Sequence, residues 1–340
     1  MAKVTLQSIA DRVGVSRMTV SNAFSRPDQL SADLRERILA AAAELGYVGP
    51  DPAARALAKG RTGSVGLMLN DRLSEAFEDA VASEFLASVA DALATHGLAL
   101  TLLTPSGSES FVPSRDVAMD GALVYICEPD STDLAWLDRR GLPQVSVDQN
   151  KRDGTPSVNV DDRAGARAAA QHLVDLGHTS VGILTLSTPV GGEESRNYPA
   201  RERLLGWRDG LGAAGIEPVV ATSTFRPEGA ATGVARELLS RPDRPTALLC
   251  FSDAFAIAAL HAAESLGLSV PGDVSVVGYD DSPLAAGSRP PLTTVHQEVA
   301  SKGQAAVAVL VALLGGDPTP TDVLLPTTLV VRESTAPPPA

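Results

Sequence analysis

Five polar residues stand at or near the ends of apolar runs or helical stretches in this sequence: Tyr125, Asp148, Arg203, Ser252 and Asp280. Carboxylates accept hydrogen bonds from the hydroxyl groups of sugars or nucleosides, whereas an arginine donates through a planar fork. In sheets of parallel strands, ligands bind beyond the carboxyl ends of the strands. The positions therefore predict a binding site for a small polar ligand. The alternative for each of them is a structural turn or a helix cap.

The sequence lacks the common patterns of an enzyme. Asp161–Asp162 and Asp280–Asp281 are adjacent acidic pairs, but neighbouring side chains point in different directions and do not make an acid–base pair. The sequence contains no nucleophile elbow, no glycine-rich phosphate loop and no zinc-binding His-Glu-x-x-His. We therefore expect no catalytic residue, no metal site and no cofactor.

The segment 6–24 is typical of two short helices joined by a tight turn. Ala10 is small where two helices would cross, and Gly14 can adopt the positive φ that the turn requires. Ser16 can cap the second helix, and Val20 can pack it against the first. This spacing predicts a helix-turn-helix, whose second helix enters the DNA major groove. The alternative is an ordinary helical hairpin in a core.

The first turns of the second helix carry side chains suited to reading DNA. Arg17 can read guanine, Asn22 can read adenine, and Met18 offers an apolar contact to a thymine methyl group. Three hydroxyl residues can reach phosphates: Ser16, Thr19 and Ser21. Exposure to solvent without a DNA partner is the alternative.

Two further helices complete the N-terminal part. Apolar residues at three- and four-residue steps predict a third helix between Ser31 and Gly46. Asp51, Pro52 and Gly60 mark the cap, first position and exit of a helix of about two turns. Such a short helix is marginal alone in water. This suggests that it forms on DNA or against a partner.

The charge is unevenly distributed along the 340 residues. The net charge is −13, yet residues 1–61 contain nine Lys or Arg and six Asp or Glu, a balance of +3. A locally basic surface is what phosphate binding needs. This uneven charge supports the prediction of DNA binding, but the excess of +3 is too small to predict it alone.

Other features bear on location and redox chemistry. The N-terminus has no apolar signal segment and the chain has no run of 18 apolar residues, so we expect a cytoplasmic protein without membrane insertion. Cys127 and Cys250 each end an apolar run and are predicted to be small core residues.

Beyond Arg61, strand and helix patterns alternate, which predicts an α/β fold with parallel sheets flanked by helices. The predicted strands are 65–69, 99–103, 122–126, 144–147, 180–184, 247–251 and 274–279. There are too many units for one sheet, so we expect two lobes. The chain should cross near Val160–Asp161 and return near 293–297 and 318–322. The predicted divisions are 1–50 (helix-turn-helix head), 51–61 (linker helix) and 62–340 (bilobed core), with lobes at 62–160 plus 295–320 and at 161–292 plus 321–334.

These features together resemble the LacI/GalR family of transcriptional regulators. In the head the resemblance rests on 4–6, 9–10, 14–16, 19–21, 45–47 and 54–58; in the core it rests on 158–176, 203–207, 270–281 and 291–295. It implies that 51–61 is the family's hinge helix and that the core is a periplasmic-binding-protein-like effector domain. Family members usually read Tyr-x-Pro-Asn before the hinge. Here Val48-Gly49-Pro50-Asp51-Pro52 adds one residue.

The resemblance also implies roles for individual residues. Leu57 is the residue that enters the DNA minor groove and kinks it, with burial against its own core as the alternative. Thr5, Leu6 and Ala54 belong to the matched DNA-binding segments. Asp148, Arg203 and Asp280 match effector-binding positions, and Ser252 stands where many relatives carry asparagine. Phe77 and Asp79 lie in the loop that closes over the ligand, although Phe77 suits a helix core equally well.

The sequence thus predicts a homodimeric regulator, most simply a repressor, that binds a near-palindromic operator in double-stranded DNA. Its expected effector is a sugar, a sugar phosphate or a nucleoside-like molecule in the cleft between the lobes. Two rivals remain at this stage: a solute-binding protein for transport and a sugar-modifying enzyme.

Overall fold

The computed structural model describes residues 4–49, 51–69, 73–105, 110–126, 131–187, 197–224, 229–317 and 321–339. Cys127 lies outside these ranges, whereas Cys250 is buried as expected. Contacts divide the chain into two units, one up to Gly63 and one from Ser64 onward.

The first unit is a small helical domain. Its helices are α1 (Leu6–Val13), α2 (Arg17–Ser25), α3 (Ala32–Glu44) and α4 (Pro52–Lys59). The first three enclose a core that includes Ile9, Ala10, Val20 and Ile38. Gly14 ends α1 with a φ of 76°, as the tight turn requires.

The second unit begins with alternating strands and helices that build one sheet: β1 (Ser64–Leu69), α5 (Leu73–Glu78), α6 (Ala80–Thr95), β2 (Ala99–Leu103), α7 (Pro113–Asp116), β3 (Gly121–Tyr125), α8 (Thr132–Arg140), β4 (Gln144–Val147) and β5 (Ser157–Val160). The chain then builds a second sheet with α9 (Asp162–Asp175), β6 (Val181–Leu186), α10 (Tyr198–Gly212), β7 (Val219–Ser223), α11 (Ala230–Leu239), β8 (Ala247–Cys250), α12 (Asp253–Ser265), β9 (Ser275–Asp280), α13 (Pro283–Gly287) and β10 (Thr293–Gln297). The last elements are α14 (Val299–Leu314), β11 (Val323–Leu325) and β12 (Thr327–Val330).

Within the described residues the core contains two six-stranded sheets. The first has the order β11-β5-β4-β3-β1-β2 and the second has the order β12-β10-β9-β8-β6-β7. All pairs are parallel except β10 with β12. The predicted α/β class with two largely parallel sheets is therefore confirmed.

The chain passes between the lobes three times. The first passage lies between β5 and α9. The second follows β10, which pairs in the second sheet to Gln297, and the third follows β11, which pairs in the first sheet to Leu325.

No helix in the described ranges has both the length and the apolar character needed to cross a bilayer.

Candidate ligand cleft and nucleic-acid interface

The first lobe contributes a buried ion pair at the carboxyl end of β4. Asp148 has a φ of 50° and follows the strand directly. Its Oδ2 accepts a hydrogen bond from the Nζ of Lys302 at 2.5 Å, and both side chains are almost fully buried. Asp148 Oδ1 is also buried and has no hydrogen-bond partner within the described structure. One carboxylate oxygen is thus paired with Lys302, whereas the other has no hydrogen-bond partner among the described residues.

The second lobe contributes a buried arginine with acidic partners on two sides. Arg203 Nε donates to Asp162 Oδ1 at 2.8 Å, and one of its terminal nitrogens lies 3.1 Å from Asp280 Oδ1. The other terminal nitrogen donates to the carbonyl oxygen of Phe251 at 2.6 Å. The guanidinium also lies 3.6 Å from the ring centre of Tyr279. This packing fixes Arg203 in one orientation at the carboxyl ends of β8 and β9.

Gln297 links the two groups. It ends β10 in the second sheet, and its amide nitrogen donates to Asp280 Oδ1 at 2.7 Å. Its amide oxygen accepts from Lys302 Nζ at 3.1 Å. Since Lys302 lies on α14, which follows Gln297 across the lobe boundary, the polar chain runs from Asp148 to Asp280 and onward to Arg203.

Burial changes the protonation of these carboxyl groups. It raises the pKa of Asp280 to about 8, against the opposing effect of Arg203 and with a further increase from Asp253. Burial also raises the pKa of Asp162, again opposed by Arg203. Burial therefore makes it unfavourable to keep all of these carboxyl groups ionised at the same time.

An aromatic pair lies beside the ion pair of the first lobe. Tyr125 stacks on Phe85 with ring centres 4.5 Å apart, and Lys302 Nζ lies 5.9 Å from each ring. Burial and the charge of Asp148 raise the pKa of the Tyr125 hydroxyl well above its usual range. Tyr125 therefore stays neutral and can serve as a hydroxyl donor or acceptor.

Three other predicted ligand residues have structural roles or solvent contact. Ser252 caps α12, because its hydroxyl accepts from the backbone N–H of Phe255. Asp79 caps α6 in the same way, and its charge contributes to the raised pKa of Asp280. Phe77 on α5 is 59% exposed and is not a core residue. The structure therefore brings Tyr125, Asp148, Arg203 and Asp280 into one buried polar cluster. The ligand role of all seven residues stays a prediction.

Sequence reasoning missed three members of this cluster: Asp162, Gln297 and Lys302. In the sequence, Asp162 stands out only as half of an adjacent acidic pair, and the motif that ends at Val295 stops two residues before Gln297. Lys302 lies in a helical pattern, where a lysine ordinarily faces solvent; here its exposure is 0%.

The head presents the predicted DNA-reading residues on α2. Arg17 is exposed and Met18 is 70% exposed, so neither supports the fold by burial. Ser16 caps α2 by accepting from the Thr19 backbone N–H at 3.0 Å. Asn22 donates to the side chain of Gln29 at 3.2 Å.

The remaining DNA candidates fall on α1 and α4. Thr5 caps α1, while Leu6 is half-buried against the head core and so also has a packing role. Ala54 and Leu57 are exposed on α4, and Leu57 has 87% of its surface accessible. A leucine so exposed on a two-turn helix contributes little to folding, so its side chain is available for a partner.

Comparisons with known proteins match both units. Residues 5–49 match the model of bacterial regulatory proteins of the lacI family, and residues 170–335 match that of a periplasmic binding protein-like domain. The chain is 38% identical to an HTH-type transcriptional regulator of Mycolicibacterium smegmatis, over 99% of this chain and 98% of the relative.

Solved structures agree with this relationship. The transcriptional regulator CelR in complex with cellobiose is 31% identical, with a TM-score of 0.72 over 98% of this chain and 100% of that one. The Lac repressor dimer bound to operator is 27% identical, with a TM-score of 0.82 over 98% of this chain and 99% of that one.

A helix-turn-helix head followed by a two-lobed core of parallel sheets defines a DNA-binding transcriptional regulator. With relatives this similar over nearly its whole length, the chain belongs to the LacI family of bacterial regulatory proteins. The rival interpretations as a transport protein or an enzyme are therefore excluded.

Proposed function

We propose that this protein is a cytoplasmic repressor that binds a near-palindromic operator as a homodimer and responds to a small polar effector in the cleft. The observation that carries the effector part is the buried cluster around Asp148, Arg203 and Asp280. Charged groups buried to this degree are costly unless they are paired. Their concentration at strand ends of both lobes supports a ligand-binding role rather than a stabilising one.

The head supports the DNA part of the proposal. Arg17 and Met18 are exposed on the helix that would enter the major groove, and Leu57 is exposed on the helix that would enter the minor groove. Two copies of such a head match two half-sites related by two-fold symmetry. A relative, the Lac repressor, is known as a dimer bound to its operator, which supports this part of the proposal.

Control by the effector follows from the link between the lobes. The chain of hydrogen bonds through Gln297 and Lys302 joins both lobes, so a ligand that binds these groups favours one arrangement of the lobes over another. A ligand changes DNA affinity only to the extent that it binds the two arrangements unequally. The relative CelR is known in complex with cellobiose, which supports a sugar-like effector here.

The test is to sequence genomic DNA fragments retained by the purified full-length protein, with and without cell extract. We expect a small set of inverted repeats near promoters. Arg17→Ala should lose this enrichment, whereas the control Arg12→Ala should keep it, because Arg12 is also exposed but pairs with Glu44 at 3.4 Å. No enrichment under either condition would refute operator binding. A reporter whose expression falls in the presence of the protein separates repression from activation.

A further inference from the structure

We infer that the segment after β12, from Glu333 to Pro339, is a proton-sensitive clasp on the second lobe. His172 and His178 hold this clasp segment in their neutral forms, and their protonation releases it. The contacts lie at the amino ends of the strands of the second sheet, whereas the buried polar cluster lies at the carboxyl ends. The inference therefore goes beyond the proposed effector and operator and depends on neither.

Ser334 joins the clasp segment to two neighbouring strands. Its side chain is fully buried, and its hydroxyl accepts a hydrogen bond from the backbone N–H of Thr293, at the start of β10, at 2.8 Å. Its carbonyl oxygen accepts from the backbone N–H of Val276 in β9 at 2.9 Å. The two strands end at Asp280 and Gln297. The clasp segment therefore fixes the starts of the two strands whose ends contribute these members of the polar cluster.

His178 makes the central contact with the clasp segment. It lies in the loop between α9 and β6 and is 1% exposed. Its Nε2 lies 2.9 Å from the carbonyl oxygen of Ala336, which can only accept, so Nε2 carries a hydrogen. Its Nδ1 lies 2.9 Å from the hydroxyl oxygen of Thr246 and accepts from it when the ring is neutral. Protonation of Nδ1 turns this hydroxyl towards the carbonyl oxygen of Ser180, 3.1 Å away, and leaves a buried positive charge.

His172 makes a second contact from the last turns of α9. Its Nε2 lies 3.0 Å from the hydroxyl oxygen of Thr335, which in turn lies 3.0 Å from the hydroxyl oxygen of Thr293. Beyond this contact, Pro338 Cδ lies 3.8 Å from where a Cβ on Gly177 would stand. The clasp segment thus covers both histidines and the turn between them.

Both histidines favour the neutral form while the clasp is closed. Burial lowers the pKa of His178; the hydrogen bond to Ala336 opposes this effect, and the charge of His172 adds to it. Burial also lowers the pKa of His172, against the opposing charge of Asp175 on the same helix. Within the described structure these are the charged groups that act on the pair. Since the open clasp binds more protons than the closed one, the closed form loses stability as the pH falls below the ordinary histidine pKa of 6.5.

The experiment measures backbone hydrogen–deuterium exchange of the full-length protein at about pH 7.5 and about pH 5.5, corrected for the intrinsic pH dependence of exchange. At the lower value, about one unit below 6.5, each histidine increases the population of the open clasp by at most about tenfold. We expect the protection of the clasp segment and of the Val276 and Thr293 amides to fall together by about tenfold. The amides of β1 and β3 in the first lobe should keep their protection. Equal protection of the clasp segment at both pH values would overturn the inference.

The double variant His172→Gln with His178→Gln removes both titrating groups, while each new amide both donates and accepts. Its clasp segment should be equally protected at the two pH values. The control is His261→Gln, because this exposed histidine lies on α12, outside the clasp. This control should lose protection on acidification as the wild type does. If the double variant also loses protection on acidification, groups other than the histidines release the segment, and the inference is wrong.

A milder variant tests the contact without replacing a buried histidine. Thr335→Val removes the hydroxyl that lies beside His172. The clasp segment and the Thr293 amide should then lose protection already at about pH 7.5, because the segment has lost one of its attachments. Unchanged protection in Thr335→Val would show that His172 does not hold the segment.

Discussion

Replacing Gly206 with alanine tests whether the close approach of α9 and α10 sets the position of Arg203. Gly206 lies three residues after Arg203, and a Cβ on it would stand 2.3 Å from the carbonyl oxygen of Arg163 and 2.8 Å from the Cβ of Ala166. Neither atom is the end of a flexible side chain. The helices must therefore separate by about 1 Å to restore ordinary van der Waals contact.

The expected cost follows from two opposing effects. Overpacking of this kind costs about 1–3 kcal/mol, and alanine regains up to about 1 kcal/mol through its higher helix propensity. We expect the free energy of unfolding to fall by about 1–2 kcal/mol, which corresponds to a Tm lower by about 2–8 °C for a unit of this size. The same movement draws Arg203 away from Asp162, so effector affinity should fall about tenfold, or about 1.4 kcal/mol.

Urea unfolding followed by circular dichroism measures the first effect, and calorimetric titration with the effector measures the second. The control is Gly212→Ala at the end of the same helix, where an added Cβ meets nothing within 4 Å. This variant should be equally stable or slightly more stable than the wild type. If Gly206→Ala matches the control in stability and in effector affinity, the reasoning from close helix packing is refuted.

Three further predictions concern single side chains. Burial raises the pKa of Asp280 from its usual 3.8 to about 8, so the stability that this group contributes is lost as the pH rises through that interval. Asp280→Asn should therefore flatten the pH dependence of the urea midpoint, and an unchanged slope would contradict this. Leu57→Ala should weaken operator binding in a gel-shift assay at least tenfold, or by about 1.4 kcal/mol. The Tm should stay unchanged, because Leu57 is 87% exposed. A lower Tm would indicate a packing role instead. Ser16→Ala should lower the stability of the head by about 1 kcal/mol, whereas Ser16→Gly should lower it by only a few tenths of a kcal/mol. Hydrogen exchange of the α2 amides measures this difference. Equal protection in the wild type and both variants would show that the cap is unimportant.

The sequence predicts most strands well where apolar runs are short and bounded. The predicted strands 99–103 and 144–147 agree with β2 and β4. By contrast, the sequence analysis does not predict β7, because this edge strand is short, only its last residue is buried, and it contains Thr222 and Ser223. The sequence analysis also does not predict strand β5, because the strand contains Asn159 and asparagine is typical of loops. In the fold Asn159 exchanges two hydrogen bonds with the backbone of Gln149, which removes the cost of burying it.

The candidate site was only partly predictable for a related reason. Asp148 follows β4, Asp280 ends β9 and Arg203 lies early on α10, so each position could be predicted from the local sequence. Lys302 could not, because its partner Asp148 lies 154 residues earlier in the chain. Its helix pattern alone favours an exposed lysine. Only the pairing of β10 and the return of α14 to the first lobe bring the two charges together.

The buried polar cluster includes residues at the passages between the lobes, which supports the proposal that a ligand there controls how the lobes are arranged. Asp162 stands at the first passage, and Gln297 and Lys302 flank the second. At the third, the hydroxyl of Thr327 donates to the carbonyl oxygen of Asp161 at 2.9 Å, which ties this passage to the first. Under the proposed effector binding, a ligand that contacts Asp162 or Gln297 would act within a residue or two of a segment that joins the lobes. Asp148 is tied to the second passage only through Lys302. On this proposal, coupling between the ligand and the arrangement of the lobes needs no long pathway.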